Sequence, residues 1–432
     1  MNPPIGLCSI GTVVKHAGHD VNVIDYTTMD YDYDKKEYLF EIPNNSDVYG
    51  ISCVSSQFKW LKEVVKHIKD INPSALVVSG GPHSSSEPKS CLNAGVDIAF
   101  NGEGEYGFLD LVNGKPRQFV LGSCYKCGPF ETKISTRAFI EDLNTLPFPD
   151  FSLFDMDRYK RKLGGKKAFH IMTLRGCPYR CNFCDSSAIG GKVRYIDKER
   201  IIRWIDYLID TYDVKSFVIY DDTFTINSKR VQYFCKEFKK RKIKWRCWSR
   251  ANSLRDDDLK SMKDAGIESV AIGIESGDSI VLKNINKCTT VEHNKRALNI
   301  CKKNGVPVRC SLMFGNPGET RESLQNTINF IEECQPDEWN LSVLMPTPGS
   351  EFWNHPEDHG LRFDKDEIIK NDYKELNRSG GSSVGYLNIK INSMPDKDIL
   401  DNLNWFVSEL DRVCPRTKIR DTIQKIRIKE LS

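Results

Sequence analysis

Three cysteines, Cys177, Cys181 and Cys184, fall in one short stretch, Arg175-Gly176-Cys177-Pro178-Tyr179-Arg180-Cys181-Asn182-Phe183-Cys184. Three and then two residues separate them, so three thiolates can reach one point from a single loop. A [4Fe–4S] cluster normally takes four thiolates, and three therefore leave one iron open to a small molecule. A structural zinc ion would need a fourth Cys or His at suitable spacing. None lies nearby, and Cys235 or Cys247 would have to fold in from further along the chain. Cys124 and Cys127 form a second close pair, but they lie on an expected hairpin rather than between a strand and a helix, and they read as incidental hairpin residues.

An open iron suits S-adenosylmethionine (SAM), whose amino and carboxylate groups can chelate the metal and hold the sulfonium beside the cluster for electron transfer. Reductive cleavage then releases a 5′-deoxyadenosyl radical able to abstract hydrogen from an unactivated carbon.

Elements that could position such a loop are visible in the hydrophobic pattern. Val21–Ile24, Val48–Ser52, Ala75–Ser79 and Val96–Phe100 read as strands separated by helical patterns. Gln57–Ile71 places Trp60, Leu61, Val64, Val65, Ile68 and Ile71 at helical spacing, which predicts one face buried against a sheet. This βαβ pattern predicts a parallel sheet, with ligands at the turns that follow its strands: Ser52–Ser56, Gly80-Gly81-Pro82-His83 and Gly102-Glu103-Gly104-Glu105. A hairpin is expected near Phe119–Ile134, and the prolines and aromatics of Leu146–Asp150 suit an ordered linker.

Beyond the linker, strands are expected near Phe169–Leu174, Ser216–Tyr220, Lys244–Ser249, Ser269–Ile274, Val306–Phe314 and Trp339–Leu344. Six βα units in succession predict a partial barrel with its chemistry at the strand ends. The cysteine loop follows the first of these strands. After Pro346 the regular pattern stops, and helical stretches return at Lys397–Arg412 and Arg420–Glu430.

The cysteine loop resembles the signature of the radical SAM superfamily, and the rest of residues 1–350 resembles its branch with an N-terminal cobalamin-binding domain. Tyr220-Asp221-Asp222-Thr223-Phe224-Thr225 is similar to the second-strand motif near the SAM amino group, and Trp248-Ser249-Arg250 to the third-strand end, where a basic residue can pair with the SAM carboxylate. Gly273-Ile274-Glu275-Ser276-Gly277 resembles the fourth-strand motif near the SAM ribose or amino-acid moiety. Phe314-Gly315-Asn316-Pro317-Gly318-Glu319-Thr320 resembles the fifth-strand turn near the adenine. Taken singly, Asp222 and Glu275 read equally as helix caps, Arg250 as a surface ion pair, and Gly315 as a turn residue. Their place at successive strand ends favours function.

Pro3-Pro4-Ile5-Gly6-Leu7, Ala17-Gly18-His19-Asp20-Val21 and Ile24-Asp25 resemble the opening of the cobalamin-binding domain. The resemblance implies cofactor contacts from Ser52, Ser55, Gly80, Gly81, His83, Gly102 and Glu103, small residues there admitting a flat corrin to the backbone. As a lone His, His83 reads alternatively as a surface or capping residue. Two departures stand out: the strand that precedes Pro-Pro in the family is missing, and no Asp-x-His-x-x-Gly loop is present.

The expected fold is thus α/β: a doubly wound, Rossmann-like cobalamin-binding domain (1–130), a linker (131–160), a TIM-like (β/α)6 radical SAM core (161–348), and a mainly helical C-terminal region facing substrate (349–432). The expected cofactors are a [4Fe–4S] cluster, SAM and cobalamin. The implied reaction is methylation of an unactivated carbon of a small-molecule or natural-product substrate, with a reducing partner such as flavodoxin or ferredoxin. Rivals are a radical SAM oxidoreductase or cyclase, a zinc-stabilised binding protein, and a methylthiotransferase acting on transfer RNA, whose N-terminal cysteine set and basic C-terminal barrel do not stand out here.

Composition is compatible with this reading. The 432 residues, 39% hydrophobic and 28% charged, suffice for two or three cored domains. The 62 basic and 59 acidic residues leave a charge of +3, which argues against nucleic acid or an anionic membrane as a partner. No apolar run approaches a bilayer span, and the opening lacks a secretion signal, so the expected compartment is the cytoplasm with most of the 15 cysteines as reduced, buried thiols.

Overall fold

The computed structural model describes residues 2–28, 31–32, 37–38, 42–129, 131–136, 138–185, 190–373 and 389–415. The expected helical stretch Arg420–Glu430 lies outside them.

The N-terminal unit is organised on strands β1 (Val48–Ser52), β2 (Leu76–Gly80) and β3 (Ile98–Phe100), which run parallel, and on β4 (Ser123–Lys126) and β5 (Thr132–Lys133), which continue the sheet antiparallel as the expected hairpin. The sheet order is β1-β2-β3-β4-β5. Val77, Val78 and Ser79 are all buried, as in a parallel strand covered on both faces. Helix α1 (Ile5–His16) precedes the sheet, α2 (Phe58–Ile71) joins β1 to β2, and α3 (Glu105–Val112) follows β3. Helix α2 buries Phe58, Leu61, Val64, Val65 and Ile68, whereas Trp60 and Ile71, expected on the same face, are exposed at 38% and 37%. Phe58 takes up the buried stripe at the N-terminal end.

Val21–Ile24, expected to be a strand, is irregular. A segment becomes a strand only through a ladder, and none of the described strands pairs with this one. The segment instead lies along a cavity that β1 also lines.

The second unit carries a seven-stranded sheet in the order β12-β11-β10-β9-β8-β7-β6: β6 (Lys162–Leu163), β7 (Lys166–Ile171), β8 (Ser216–Ile219), β9 (Lys244–Ser249), β10 (Ile267–Glu275), β11 (Val308–Phe314) and β12 (Glu338–Val343). All neighbours are parallel except the β6–β7 hairpin. Side chains alternate along each strand. On β9, Trp245, Cys247 and Ser249 are buried, while Arg246 and Trp248 are only partly so. Trp245 and Cys247 join Ile201, Trp204, Phe234, Phe238 and Leu298 in the core between the strands and the covering helices α4 (Lys198–Tyr212), α5 (Ser228–Arg241), α6 (Asp256–Asp264), α7 (Val291–Lys303) and α8 (Arg321–Cys334). Helix starts are set by side-chain caps: Asp197 accepts from Arg200 N, Asn227 from Arg230 N, Thr290 from His293 N and Thr320 from Ser323 N.

The first barrel strand departs from expectation. It ends at Ile171, and Leu174–Arg175 leaves the sheet to pair with Arg194–Tyr195 in a separate two-stranded ladder. Buried Asp221 causes this turn-out, accepting from Thr173 N (2.6 Å), Thr173 Oγ1 (2.5 Å) and Leu174 N (3.2 Å). Backbone donors that could have extended the strand are used on that carboxylate.

Residues 146–150 are ordered, pinned to both units. Phe148 stacks on Trp204 with the rings 3° from parallel, and Asp150 accepts from Lys15 Nζ (2.9 Å) while its own N–H donates to Thr12 Oγ1 (2.8 Å). At the C-terminal end, α9 (Ile399–Val413) closes on α8, and Trp339 Nε1 donates to the Cys414 carbonyl (2.8 Å). The intervening chain returns to the N-terminal unit: Trp353 Nε1 donates to Glu87 (3.1 Å), Lys62 pairs with Asp372 (2.7 Å), and the buried Tyr373 ring meets Phe58 and His83 edge-on. No helix among the described residues is long and apolar enough to cross a membrane.

Candidate active site

The cysteine loop begins at Gly176, whose φ of +91° is left-handed, and a Cβ there would collide with the Lys192 carbonyl oxygen and stand 2.7 Å from that of Gly190. The loop then turns tightly, with Cys184 N donating to Cys181 O (3.0 Å). Three hydrogen bonds moor it to the segment after β10: Asn182 N to Ile285 O (3.0 Å), Asn182 Nδ2 to Asn284 O (3.1 Å) and Asn286 Nδ2 to Arg180 O (2.7 Å). Cys181 is buried, and Cys177 and Cys184 are half-buried.

Arg250, at the end of β9, places its guanidinium against this loop. Nη1 donates to Cys181 Sγ (3.3 Å), Nη2 donates to the Lys287 carbonyl oxygen, and the cation lies 3.8 Å from the Tyr179 ring centroid. Arg250 is therefore no surface ion pair; it is buried, and its Nε has no partner among the described residues. At Cys177, burial pushes the pKa up, and Arg250 acts in the opposite sense.

Glu275 closes β10 at a register break, with φ of +64°. It is not a helix cap: Asp278 caps the following short helix, accepting from Ile280 N and Val281 N. Glu275 instead pairs with Lys287 Nζ at 2.7 Å, and both side chains are largely buried. Lys287 went unnoticed in the sequence. Its only signal was a base in Asn-Lys-Cys shortly after the β10 motif. Asp222 caps no helix either, its neighbour Thr223 holding that position in the next turn. Burial, and secondarily the charge of Asp185, raise its pKa. Gly315, with φ of +84°, donates its N–H to Glu319 Oε2 (2.6 Å), fixing the turn after β11.

Among the described residues, no three His, Cys, Asp or Glu side chains already stand gathered as a metal-ligand set. The donor chemistry fits an iron–sulfur cluster better than zinc. Three sulfurs share one loop beside a guanidinium, whereas Cys235 and Cys247, the conceivable fourth ligands, are locked in the strand–helix core. Burial pushes the Cys235 thiol up to about 12 and raises that of Cys247 as well. For SAM, the loop has both charge signs beside it, Arg250 and Lys287 against Asp222 and Glu275, as an amino-acid zwitterion requires.

A cavity of about 1460 Å³ lies between the strand ends of the N-terminal sheet and the cysteine loop. Ser52, Gly80, Gly81, Gly102 and Glu103 line one side, and Arg175, Gly176, Tyr220 and Asp222 the other. It exceeds the few hundred Å³ that hold ordinary small ligands and is large enough for a corrin. A Cβ on Gly80 would enter open space, and Gly81, with φ of +89°, packs so tightly on Cys53 O and Ser52 Oγ that only glycine suits it.

Three expected cofactor contacts, His83, Ser55 and Glu103, are differently employed. His83 is wholly buried and is neither surface nor cap. Its Nδ1 bonds Ser55 Oγ (3.0 Å), its Nε2 bonds Ser90 Oγ (2.9 Å), and its ring packs on Phe58 and Tyr373. With both nitrogens used, neither is available to cobalt, and neither His83 nor Ser55 lines the cavity. Glu103 reaches the cavity wall, but its carboxylate is held by Arg194, Arg175 and Ile140 N.

Burial depresses the His83 pKa from 6.5 to about 4. Between those values the unfolded chain binds a proton that the native chain does not, so the contribution is complete above pH 6.5 and is lost as pH falls to about 4. It amounts to about 3 kcal/mol at about 1.4 kcal/mol per pH unit. Denaturant titrations at pH 7 and pH 4.5 are expected to show wild type losing more stability on acidification than His83→Gln. Equal losses would rule out this assignment.

Sequence comparisons bear on both units. Residues 171–331 match the Radical SAM superfamily model and residues 2–112 the B12 binding domain model. The chain is 32% identical, over 82% of its length and 78% of the relative's, to an uncharacterised methyltransferase of Pyrococcus horikoshii. It is 28% identical, over 84% of its length and 68% of the relative's, to the anaerobic magnesium-protoporphyrin IX monomethyl ester cyclase of Rubrivivax gelatinosus. The fold is similar to that of the radical SAM methyltransferase TsrM from Kitasatospora setae, solved with cobalamin and a [4Fe–4S] cluster, at a TM-score of 0.73 and 15% identity over 96% of this chain and 87% of that one.

Proposed function

Since the chain belongs to the radical SAM superfamily, in the branch that carries a B12-binding domain, we propose that it methylates an unactivated carbon of a small-molecule substrate bound between its two units. The observation that carries this reading is the shared cavity, in which the turns after β1, β2 and β3, the last two rich in glycine, face Arg175, Gly176 and Asp222 at the mouth of the cysteine loop.

Cys177, Cys181 and Cys184 would hold the cluster, and Gly80, Gly81 and Gly102 would line the corrin site. When bound, the cluster and cobalamin supply reductive cleavage of SAM and a carrier for its methyl group. The protein's own share is positional. Arg250 donates to the Cys181 sulfur and ties the loop to Lys287 O, Lys287 and Glu275 present opposite charges to the SAM amino-acid moiety, and Asp222 offers an acceptor at the cavity wall. Tyr220 and Trp248, rings 4.8 Å apart on neighbouring strand ends, offer an aromatic surface for substrate. A reducing protein would deliver the electron. Similarity to a ring-forming cyclase supports a second reading, in which the same radical closes a ring.

The two are separated with anaerobically reconstituted protein, reduced and supplied with methyl-labelled SAM. Label on cobalamin, with cobalt and cluster bound in the same chain, is the expected result. Cobalt without labelled cobalamin would remove methyl transfer and leave the cyclase reading.

A further inference from the structure

Four charged side chains at the junction of the two units are not used by the chemistry above. Leu174–Arg175 pairs with Arg194–Tyr195, and the register sets Arg175 opposite Arg194. Both arginines reach across to the Gly102–Glu105 turn of the N-terminal unit. Arg194 forks onto Glu103, with Nη1 to Oε2 at 2.6 Å and Nη2 to Oε1 at 3.0 Å. Arg175 bridges two carboxylates, with Nη1 to Glu103 Oε1 at 3.0 Å and Nη2 to Glu105 Oε1 at 2.6 Å. Ile140 N donates to Glu103 Oε2 (2.6 Å) and Ser9 Oγ to Glu105 Oε1 (3.0 Å). Glu103 thus accepts four hydrogen bonds, about the full capacity of a carboxylate, and has none to spare for a ligand.

Two negative and two positive charges balance, and the side chains of Arg194 and Glu105 are each only 5% exposed. Burial favours the neutral acid at Glu103, yet the two arginines hold its carboxyl below the usual range. A buried network of this kind contributes little net stability, but it tolerates little displacement, because parting one member strands its partner's charge.

The position of the network gives it a role. Arg175 stands two residues before Cys177, and Gly176 between them is confined by Gly190 O and Lys192 O, in the strand-leading segment that carries Arg194. The opposite end is the turn after β3, which lines the cavity beside Gly80 and Gly81. One rigid path therefore runs from the sheet's ligand-facing edge to the first cluster cysteine. Resting on the cobalamin-dependent reading above, we infer that Glu103, Arg175, Arg194 and Glu105 are positioning residues that set the distance and orientation between the cluster loop and the corrin site.

The test uses holoenzyme loaded with cluster and hydroxocobalamin, reduced so that cob(II)alamin and the reduced cluster are both paramagnetic, with their separation read by pulsed dipolar EPR. Wild type is expected to show one narrow distance distribution. Glu103→Gln, which keeps the shape and removes the charge, should retain iron and cobalt with a broadened or displaced distribution. If it does not fold, Arg175→Lys is read in its place, since a lysine keeps the charge but cannot bridge both carboxylates. An unchanged distribution in a folded, fully loaded variant overturns the inference. So does selective loss of cobalt with the cluster intact, which would make Glu103 a cofactor contact, and so does failure of both variants to fold, which would leave a structural role alone. Wild type that binds no cobalt refutes the cobalamin-dependent reading itself, before any variant is compared.

Discussion

Cys181→Ala is expected to lose the iron–sulfur cluster and with it all 5′-deoxyadenosine formation above the no-protein background. With three thiolates on one loop, and Cys235 and Cys247 held in the core, removing one leaves two, too few to retain a [4Fe–4S] cluster. Cys181 should be the most sensitive of the three, because it is the buried one and the one to which Arg250 Nη1 donates. Its loss also leaves a buried guanidinium short of an acceptor, so metal binding and local order fail together. Cys235→Ala, in the core behind the sheet, should cost stability through its cavity but keep the cluster. Iron and labile sulfide, with nucleoside measured by chromatography after chemical reduction in the presence of SAM, provide the check. Nucleoside production by Cys181→Ala at the wild-type rate, or zinc in place of iron in the wild type, would defeat the assignment of this loop.

Gly176→Ala is expected to have the second largest effect, reducing nucleoside formation by about a hundredfold, since misplacing a reactive group by about 1 Å can cost that much. Two penalties combine in this substitution. The φ of +91° is itself unfavourable for alanine by about 1–3 kcal/mol, and the added methyl meets the carbonyl oxygens of Gly190 and Lys192. Backbone oxygens cannot rotate away as a side chain could, so the loop must move, and Cys177 moves with it. Gly165→Ala is the control: its φ is +77°, but a Cβ there meets nothing within 4 Å. It should be destabilised without losing cluster occupancy. Similar retention of nucleoside formation by the two variants would show that the collision at Gly176 is relieved without displacing the cluster loop.

The places where expectation and structure part follow one pattern. Strand positions were legible to within one or two residues, apart from Val21–Ile24 and the first barrel strand, because burial in a parallel sheet leaves a local signature of clustered apolar residues. The first barrel strand was drawn three residues too far because its tail, Thr173 and Leu174, reads as a continuation of the strand but donates to Asp221 from another strand end. Val21–Ile24 has the composition of a strand and no ladder, a property that depends on a neighbour and not on the segment.

The same division runs through the site. Spacing alone determined the cysteine loop, because three thiolates on one loop need no other part of the chain to come near each other. Glycines at the strand ends were equally readable, since a left-handed turn is a local demand on backbone conformation. Local sequence could not determine what each charged or titratable side chain would meet. Glu103 and Arg194 are separated by 91 residues, and Arg250 and Cys181 by 69. His83 sits in a glycine-rich turn that reads as a ligand loop, yet Ser55, Ser90, Phe58 and Tyr373 enclose it. Lys287 became visible only when the segment after β10 folded back on the cysteine loop and brought Glu275 within 2.7 Å. The sequence by itself thus determined which chemistry is available and on which strand ends it stands. Only the tertiary structure decided which charges are already neutralised and which nitrogens already bonded, because Coulomb and hydrogen-bond partners are chosen by proximity in space across the packed interface of the two units.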